Sequence, residues 1–261
     1  MSVTLSDRQP PHFLKLLAHD VRWKLLVLLA RSDYCVQELA HLIQQPQNLV
    51  SYHLRQLRSH HLVTERRSAA DSRDIYYSLD FDTLHTLYFA AANSLHPALS
   101  HTGAQPQIDE SPLPHKPARV LFLCTENSAR SQMAEGILRH LSGGQVEAFS
   151  AGTHPSRLHP YAVQVLAAMG IDSSHQRSKH LDEFRDQSFD RIVTVCDRVR
   201  ESCPTFPGDP ERVHWSFLDP AAVEGPDEVR YRAFEQVALQ LVNRIRYLLI
   251  LLEREQGRKG P

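Results

Sequence analysis

The chain has 261 residues and a net charge of −1, so no global field steers it to nucleic acid or to a membrane surface, and any such footprint must be local. Four Cys in a chain this long do not suggest a disulfide framework. The N-terminal run Met1–Arg8 lacks a signal-peptide pattern and the late apolar run Tyr247–Leu252 is too short to span a bilayer. The expectation is a cytoplasmic protein with no membrane partner, in a reducing compartment where Cys residues are more often chemical than structural.

Apolar residues first recur at helical spacing, at Phe13, Leu14 and Leu17 and then at Val21, Leu25, Leu26 and Leu29. A short helix is predicted over Val36–Leu42, a turn at Gln44-Gln45-Pro46, and a second helix from Gln47 to Ser59. Two strands follow, over 62–67 and 75–79, around a polar tip at 68–73, and a last helix over Leu84–Leu95. The second helix buries Leu49 or Val50, Leu54 and Leu57 and leaves Gln47, Asn48, Ser51, His53 and Arg55 for a major groove, where amide and guanidinium groups read base edges. Arg58, Arg66, Arg67 and Arg73 outnumber Glu65 and Asp71, a local positive surface that suits operator DNA.

This order of helix, turn, helix and wing resembles the winged-helix repressors of the arsenic-responsive ArsR/SmtB family over about residues 11–95. The resemblance implies a homodimer through the last and the N-terminal helices, suited to a palindromic operator. It does not carry the inducer site: arsenic-responsive members have a Cys-Val-Cys pair where this chain has Cys35-Val36-Gln37. A lone Cys35 reads as a packed small hydrophobe. His60, His61 and His85 miss the spacing of the zinc-sensing members, so no metal site is expected.

Residues 97–117 lack apolar periodicity, and Pro97, Pro106, Pro112, Pro114 and Pro117 favour extended backbone; they read as a linker. Beyond it the expected elements are a strand (119–124), a helix (131–141), strands (146–150, 189–196, 213–216) and helices (159–169, 228–253). That alternation argues a parallel sheet covered by helices. The fold class is thus two domains: an N-terminal α+β winged helix-turn-helix (1–96) and a C-terminal three-layer α/β domain with a four-stranded parallel sheet (118–261).

The first strand of the C-terminal part runs into Cys124-Thr125-Glu126-Asn127-Ser128-Ala129-Arg130-Ser131. Five residues between Cys and Arg let the backbone curl until successive N–H groups point at one centre, where the following helix also aims its dipole. Such a bowl holds a tetrahedral oxyanion, with Arg130 closing it by a bidentate contact. The same field, with a hydrogen bond from Ser131, favours a thiolate at Cys124, which is expected to titrate below a free thiol.

Val120–Gly136 resembles the phosphate loop of the low-molecular-weight tyrosine phosphatase fold, and most of all its arsenate reductase branch. The resemblance continues through Ser150–Thr153, Val193–Asp197 and His214–Ala221. It implies that Asp219, stiffened by Pro220, protonates the departing oxygen, whereas Asp209-Pro210 is an ordinary turn. Reducing arsenate takes two electrons and hence a second thiol. Thioredoxin-linked members carry a Cys pair where this chain has Cys196 and Cys203, which implies a relay from Cys124 to Cys196 to Cys203 with thioredoxin or a similar thiol as donor. Tyrosine phosphatases tend to place aromatics after the Asp-Pro; Ala221-Ala222 stand here. The loop often has a further Cys where Ala129 stands. Some members bind potassium through residues matching Asn127, Glu135 and Ser150 plus an acid; Lys179 stands at the fourth position, where its ammonium would repel or replace the ion. The leading expectation is a repressor fused to an arsenate reductase. Its rivals are a phosphatase acting on phosphate esters and a regulator that senses oxyanion or redox state without turnover.

Overall fold

The computed structural model describes residues 10–95 and 117–259, so the linker expected over 97–117 lies outside the described residues except for Pro117. The chain divides into two compact units.

In the N-terminal unit, α1 (His12–Leu17) and α2 (Asp20–Leu29) precede a two-residue strand, β1 (Tyr34–Cys35), that periodicity could not reveal. Helices α3 (Val36–Ile43) and α4 (Gln47–Ser59) follow, then β2 (Val63–Arg67), β3 (Ile75–Leu79) and α5 (Phe81–Leu95). Gln44 ends α3 in the left-handed region at φ 54°, and Pro46 caps α4, so the helical path must break between them. Leu25, Leu29, Leu39, Val50, Leu54, Leu57 and Leu62 are fully buried. They lock the helices together and fix Val50, rather than the half-buried Leu49, as the core residue of α4. Strand β3 pairs antiparallel with both β1 and β2, which makes the wing part of a three-stranded sheet.

The C-terminal unit begins with β4 (Ala118–Cys124) and α6 (Arg130–Leu141), then β5 (Val146–Gly152), α7 (Pro160–Ala168), β6 (Arg191–Thr194), α8 (Asp197–Ser202), β7 (Glu211–His214) and the long α9 (Asp227–Lys259). The four strands are all parallel, in the order β5-β4-β6-β7. From Val120 onward central β4 is a continuous apolar run because both of its faces are covered. Helices α6, α7 and α9 pack on one another, while α8 packs on β4 and β6. Strand β6 is shorter than the expected 189–196, since its pairing with β4 runs only from Arg191 to Thr194. Strand β7 sits two residues before the expected 213–216, in register with β6, and releases Trp215 and Phe217 into the core. Buried Arg191 ties β6 to Glu211 on β7 at 2.9 Å and to Glu255 on α9 at 2.6 Å. Asp209 takes a positive φ of 48°, as a turn residue does.

Candidate functional site

Strand β4 delivers Cys124 to the carboxyl edge of the sheet, and α6 starts at Arg130, so residues 125–129 make the whole loop. Its pivot is Asn127, in the left-handed region at φ 48°, a conformation that Asn tolerates better than most residues. That turn aims the Asn127 N–H at Cys124 Sγ, 3.0 Å away. Gly152 on β5 makes room for it: a Cβ there would lie 2.5 Å from the Thr125 carbonyl oxygen and 2.9 Å from Asn127 N. The backbone approach leaves space for nothing larger than hydrogen.

Buried polar groups hold the loop from beneath. Asn127 Nδ2 donates to Ser150 Oγ at 2.8 Å and to Ser131 Oγ at 2.9 Å. Its Oδ1 accepts from the Lys179 amide at 2.8 Å and from Gln132 Nε2 at 2.9 Å, and its carbonyl accepts from Ser178 Oγ at 2.7 Å. Because Ser131 Oγ accepts from Asn127, its own proton points to Cys124 Sγ, 2.8 Å away. Ser150 passes its proton to Glu135 Oε2 at 2.5 Å, and Lys179 Nζ donates to the same oxygen at 3.0 Å. Arg139 holds the other Glu135 oxygen at 2.7 Å. A potassium ion does not fit the residues present, since the Lys179 ammonium already compensates Glu135 beside Ser150. Among the described residues, no group of three or more His, Cys, Asp and Glu could hold a metal ion.

Cys124 departs from the expectation of a depressed thiol. Complete burial pushes it up, and the nearby Cys196 adds to the rise. Ser131, Arg130 and the Asn127 amide pull the other way and do not win. One reason is that Arg130 is already engaged: its Nη2 donates to Asp219 Oδ2 at 2.7 Å and its Nη1 to the Phe217 carbonyl at 3.3 Å. The structure therefore brings Asp219 to the mouth of the loop, with its Oδ1 fixed by the Ala221 N–H.

Beyond β6, Cys196 caps α8 and lies buried with its Sγ 3.4 Å from Thr125 Oγ1. Cys203 stands at the opposite end of α8, half-buried, and burial pushes its thiol up against a smaller opposing pull from Arg212.

On α4 and the wing, Gln47, Asn48, Arg55, Arg58 and Arg73 are exposed and Ser51 is half-buried. His53 is a correction to the groove-facing set. It is only 3% exposed, with its ring 4.4 Å from that of His19, because position 53 falls on the stripe shared by Val50, Leu54 and Leu57. Burial, with His19 and Arg22 nearby, holds it below the ordinary histidine range. Tyr52, half-exposed, takes the outward place on α4 instead, although its apolar ring suggests the core. Arg58 forms an ion pair with Glu65 on the wing, which offsets one positive charge of that face. Cys35 opens α3, where its N–H donates to Glu38 Oε2 at 2.9 Å and burial pushes its thiol up, as for a packed side chain.

A parallel α/β domain with a Cys-x5-Arg loop at its sheet edge, preceded by a helix-turn-helix unit with a wing, defines the class. Residues 119–258 match the low molecular weight phosphotyrosine protein phosphatase family, to which the chain belongs, and residues 19–65 match the bacterial regulatory proteins of the arsR family. The chain is 41% identical over 127 residues to a protein of Halalkalibacterium halodurans named arsenate reductase, covering 49% of this chain and 91% of that one. It is 38% identical over 127 residues, with the same coverage, to a Bacillus subtilis arsenate reductase. A third relative, the arsenate reductase of Brevibacillus brevis, is 42% identical over 113 residues, 43% of this chain and 84% of that one. Among the described residues no helix is long and apolar enough to cross a membrane.

Proposed function

We propose that the protein couples an operator-binding repressor (1–96), through a linker (97–117), to an arsenate reductase (118–261) served by thioredoxin or a similar thiol. The observation that carries the reductase reading is the second thiol: Cys196 sits against Thr125 of the loop, with Cys203 one short helix away. A phosphatase needs only the first. The relatives named arsenate reductase support the same choice, and Ala221-Ala222 after Asp219-Pro220 offer no aromatic platform for an aryl ester.

In this reading the amides of Thr125–Ser131 and Arg130 bind the oxyanion, and Arg130 turns from Asp219 to the new charge. The Cys124 thiolate attacks arsenic, and Asp219, released from its ion pair and protonated, gives its proton to the departing oxygen, which leaves as water. Cys196 as thiolate then attacks the Cys124 sulfur. The electron pair of the sulfur–arsenic bond stays on arsenic, and arsenite leaves as a Cys124–Cys196 disulfide forms. Cys203 attacks Cys196, frees Cys124, and presents Cys196–Cys203 to the external dithiol. Thioredoxin-dependent arsenite production by the purified protein, run beside aryl phosphate hydrolysis, tests this: turnover of the ester alone would make it a phosphatase, and turnover of neither a non-catalytic sensor.

For the N-terminal unit, Gln47, Asn48, Ser51 and Arg55 read bases while Arg58 and Arg73 hold phosphates. The homodimer forms through α5, whose Tyr88 and Leu95 are exposed apolar residues. Arg55→Ala should weaken operator binding by ~1–3 kcal/mol in a mobility-shift titration. Cys35, the one thiol before the linker, cannot alone form a three-thiolate arsenite site, so either release from DNA is driven from the C-terminal unit or thiols from several elements combine.

A further inference from the structure

Two buried polar side chains near the relay take no part in it. Asp197, the residue after Cys196 and the first of α8, is 1% exposed, and His214, the last residue of β7, is 3% exposed. His214 Nε2 lies 3.2 Å from Asp197 Oδ1, and Ser216 Oγ donates to the same oxygen at 2.9 Å. On its other side His214 Nδ1 is 2.9 Å from Thr194 Oγ1. The Asp197 carboxylate only accepts, so the ring nitrogen that faces it, Nε2, carries a proton. Val199, 1% exposed, anchors the same turn of α8 in the core. The far end is held less. Glu201 is exposed, Cys203 is extended at φ −63° and ψ 118°, and its thiol meets the Pro204 carbonyl only at 3.7 Å. Pro204 has no N–H with which to continue the helix.

We propose that Asp197, gripped by His214 and Ser216, is a positioning residue that fixes Cys196 beside the oxyanion loop, so that the Cys203 end of α8 is the one that travels. The inference rests on the thiol relay proposed above. A regular helix would set two Cα atoms seven residues apart ~10.5 Å from each other, and Cys196 and Cys203 flank α8 in extended backbone, while a disulfide needs roughly 4.4–6.8 Å. Closing that gap at the anchored end would pull a buried carboxylate off its hydrogen-bond partners, the Ala69 N–H at 2.8 Å among them; closing it at the Cys203 end unwinds one polar turn. In the closing step the Cys203 thiolate attacks the Cys196 sulfur, the Cys124–Cys196 bond breaks, and Cys124 leaves as a thiolate. Cys124 takes up the proton that Cys203 lost, and no net electrons are exchanged.

The test uses the full-length Cys203→Ser protein, in which the relay stops at the Cys124–Cys196 disulfide. Disulfide formation is timed after adding arsenate, and inorganic phosphate is titrated as a protectant of Cys124 against alkylation. Adding Asp197→Ala should slow disulfide formation about tenfold and leave the protecting phosphate concentration unchanged, while Asp197→Asn, which keeps an acceptor for Ser216, recovers most of the rate. Ser216→Ala, a milder change should Asp197→Ala fail to fold, should give the same split at about threefold. An unchanged rate, or an equal loss of rate and phosphate protection, overturns the positioning role. Absence of any Cys124–Cys196 disulfide in the Cys203→Ser parent would instead overturn the relay, and this role with it.

Discussion

The loop around Cys124 and the helix between Cys196 and Cys203 lie at the same sheet edge and are built to opposite ends. In the loop, a single residue, Asn127, uses both of its amide atoms and both of its backbone groups, and its partners stand on β4, β5, α6 and the 177–180 segment. In α8 the hold is one-sided, strong at Asp197 and Val199 and slight at Cys203. A loop that recognises an oxyanion by converging amides must be organised before its ligand arrives. A thiol carrier must change shape between two covalent states, so half of it has to be weakly held. Rigidity is allotted by task along a few residues of one edge.

The largest effect is expected at the nucleophile. Cys124→Ser should abolish arsenite production while leaving operator binding untouched, as read by turnover and mobility shift on the same preparation; residual turnover would mean that the loop thiol is not the attacking group. Next comes the support beneath the loop. Lys179→Ala leaves the Glu135 carboxylate, 5% exposed, with Arg139 and Ser150 alone, and should cost about 2–3 kcal/mol in denaturant unfolding of the C-terminal unit. Gly152→Ala puts a Cβ against the Thr125 carbonyl and should cost about 1–3 kcal/mol, with weaker phosphate protection of Cys124. If Gly152→Ala left phosphate protection intact, the loop would be less preorganised than its contacts indicate.

Two smaller effects concern the thiols. Because burial raises the Cys124 thiol, free protein should alkylate slowly at neutral pH. Its rate should climb with pH to a midpoint above the ~8.5 of a free thiol, and Asp219→Ala should move that midpoint down by returning the full charge of Arg130 to the sulfur. A midpoint below ~8.5 in the parent would show that the loop amides and Arg130 outweigh burial. The smallest signal is in hydrogen exchange of α8. Oxidation to the Cys196–Cys203 disulfide should release amides 200–203 and spare 197–199, and equal protection across 197–203 in both states would argue for direct reduction of Cys124 by an external thiol.

Residue order alone dictates the features that depend on neighbours along the chain. Helical spacing in α4, the turn at Pro46, the strand that ends at Cys124, the parallel alternation after the linker and the Cys-x5-Arg loop are all local patterns, set by backbone geometry and side-chain period. What it misjudged depends on residues far apart in sequence. The polarity of His53 points it to the groove, whereas the packing of α2 against α4 buries it on His19. The Cys124 thiol was expected to be acidic from the loop alone, but the sheet buries it completely, and Asp219, 89 positions from Arg130, takes up the guanidinium. Likewise the grip of His214 on Asp197 joins positions 17 apart on different elements. Burial and charge pairing are properties of the closed core, where desolvation and distance set the energies, and no window of sequence contains either quantity.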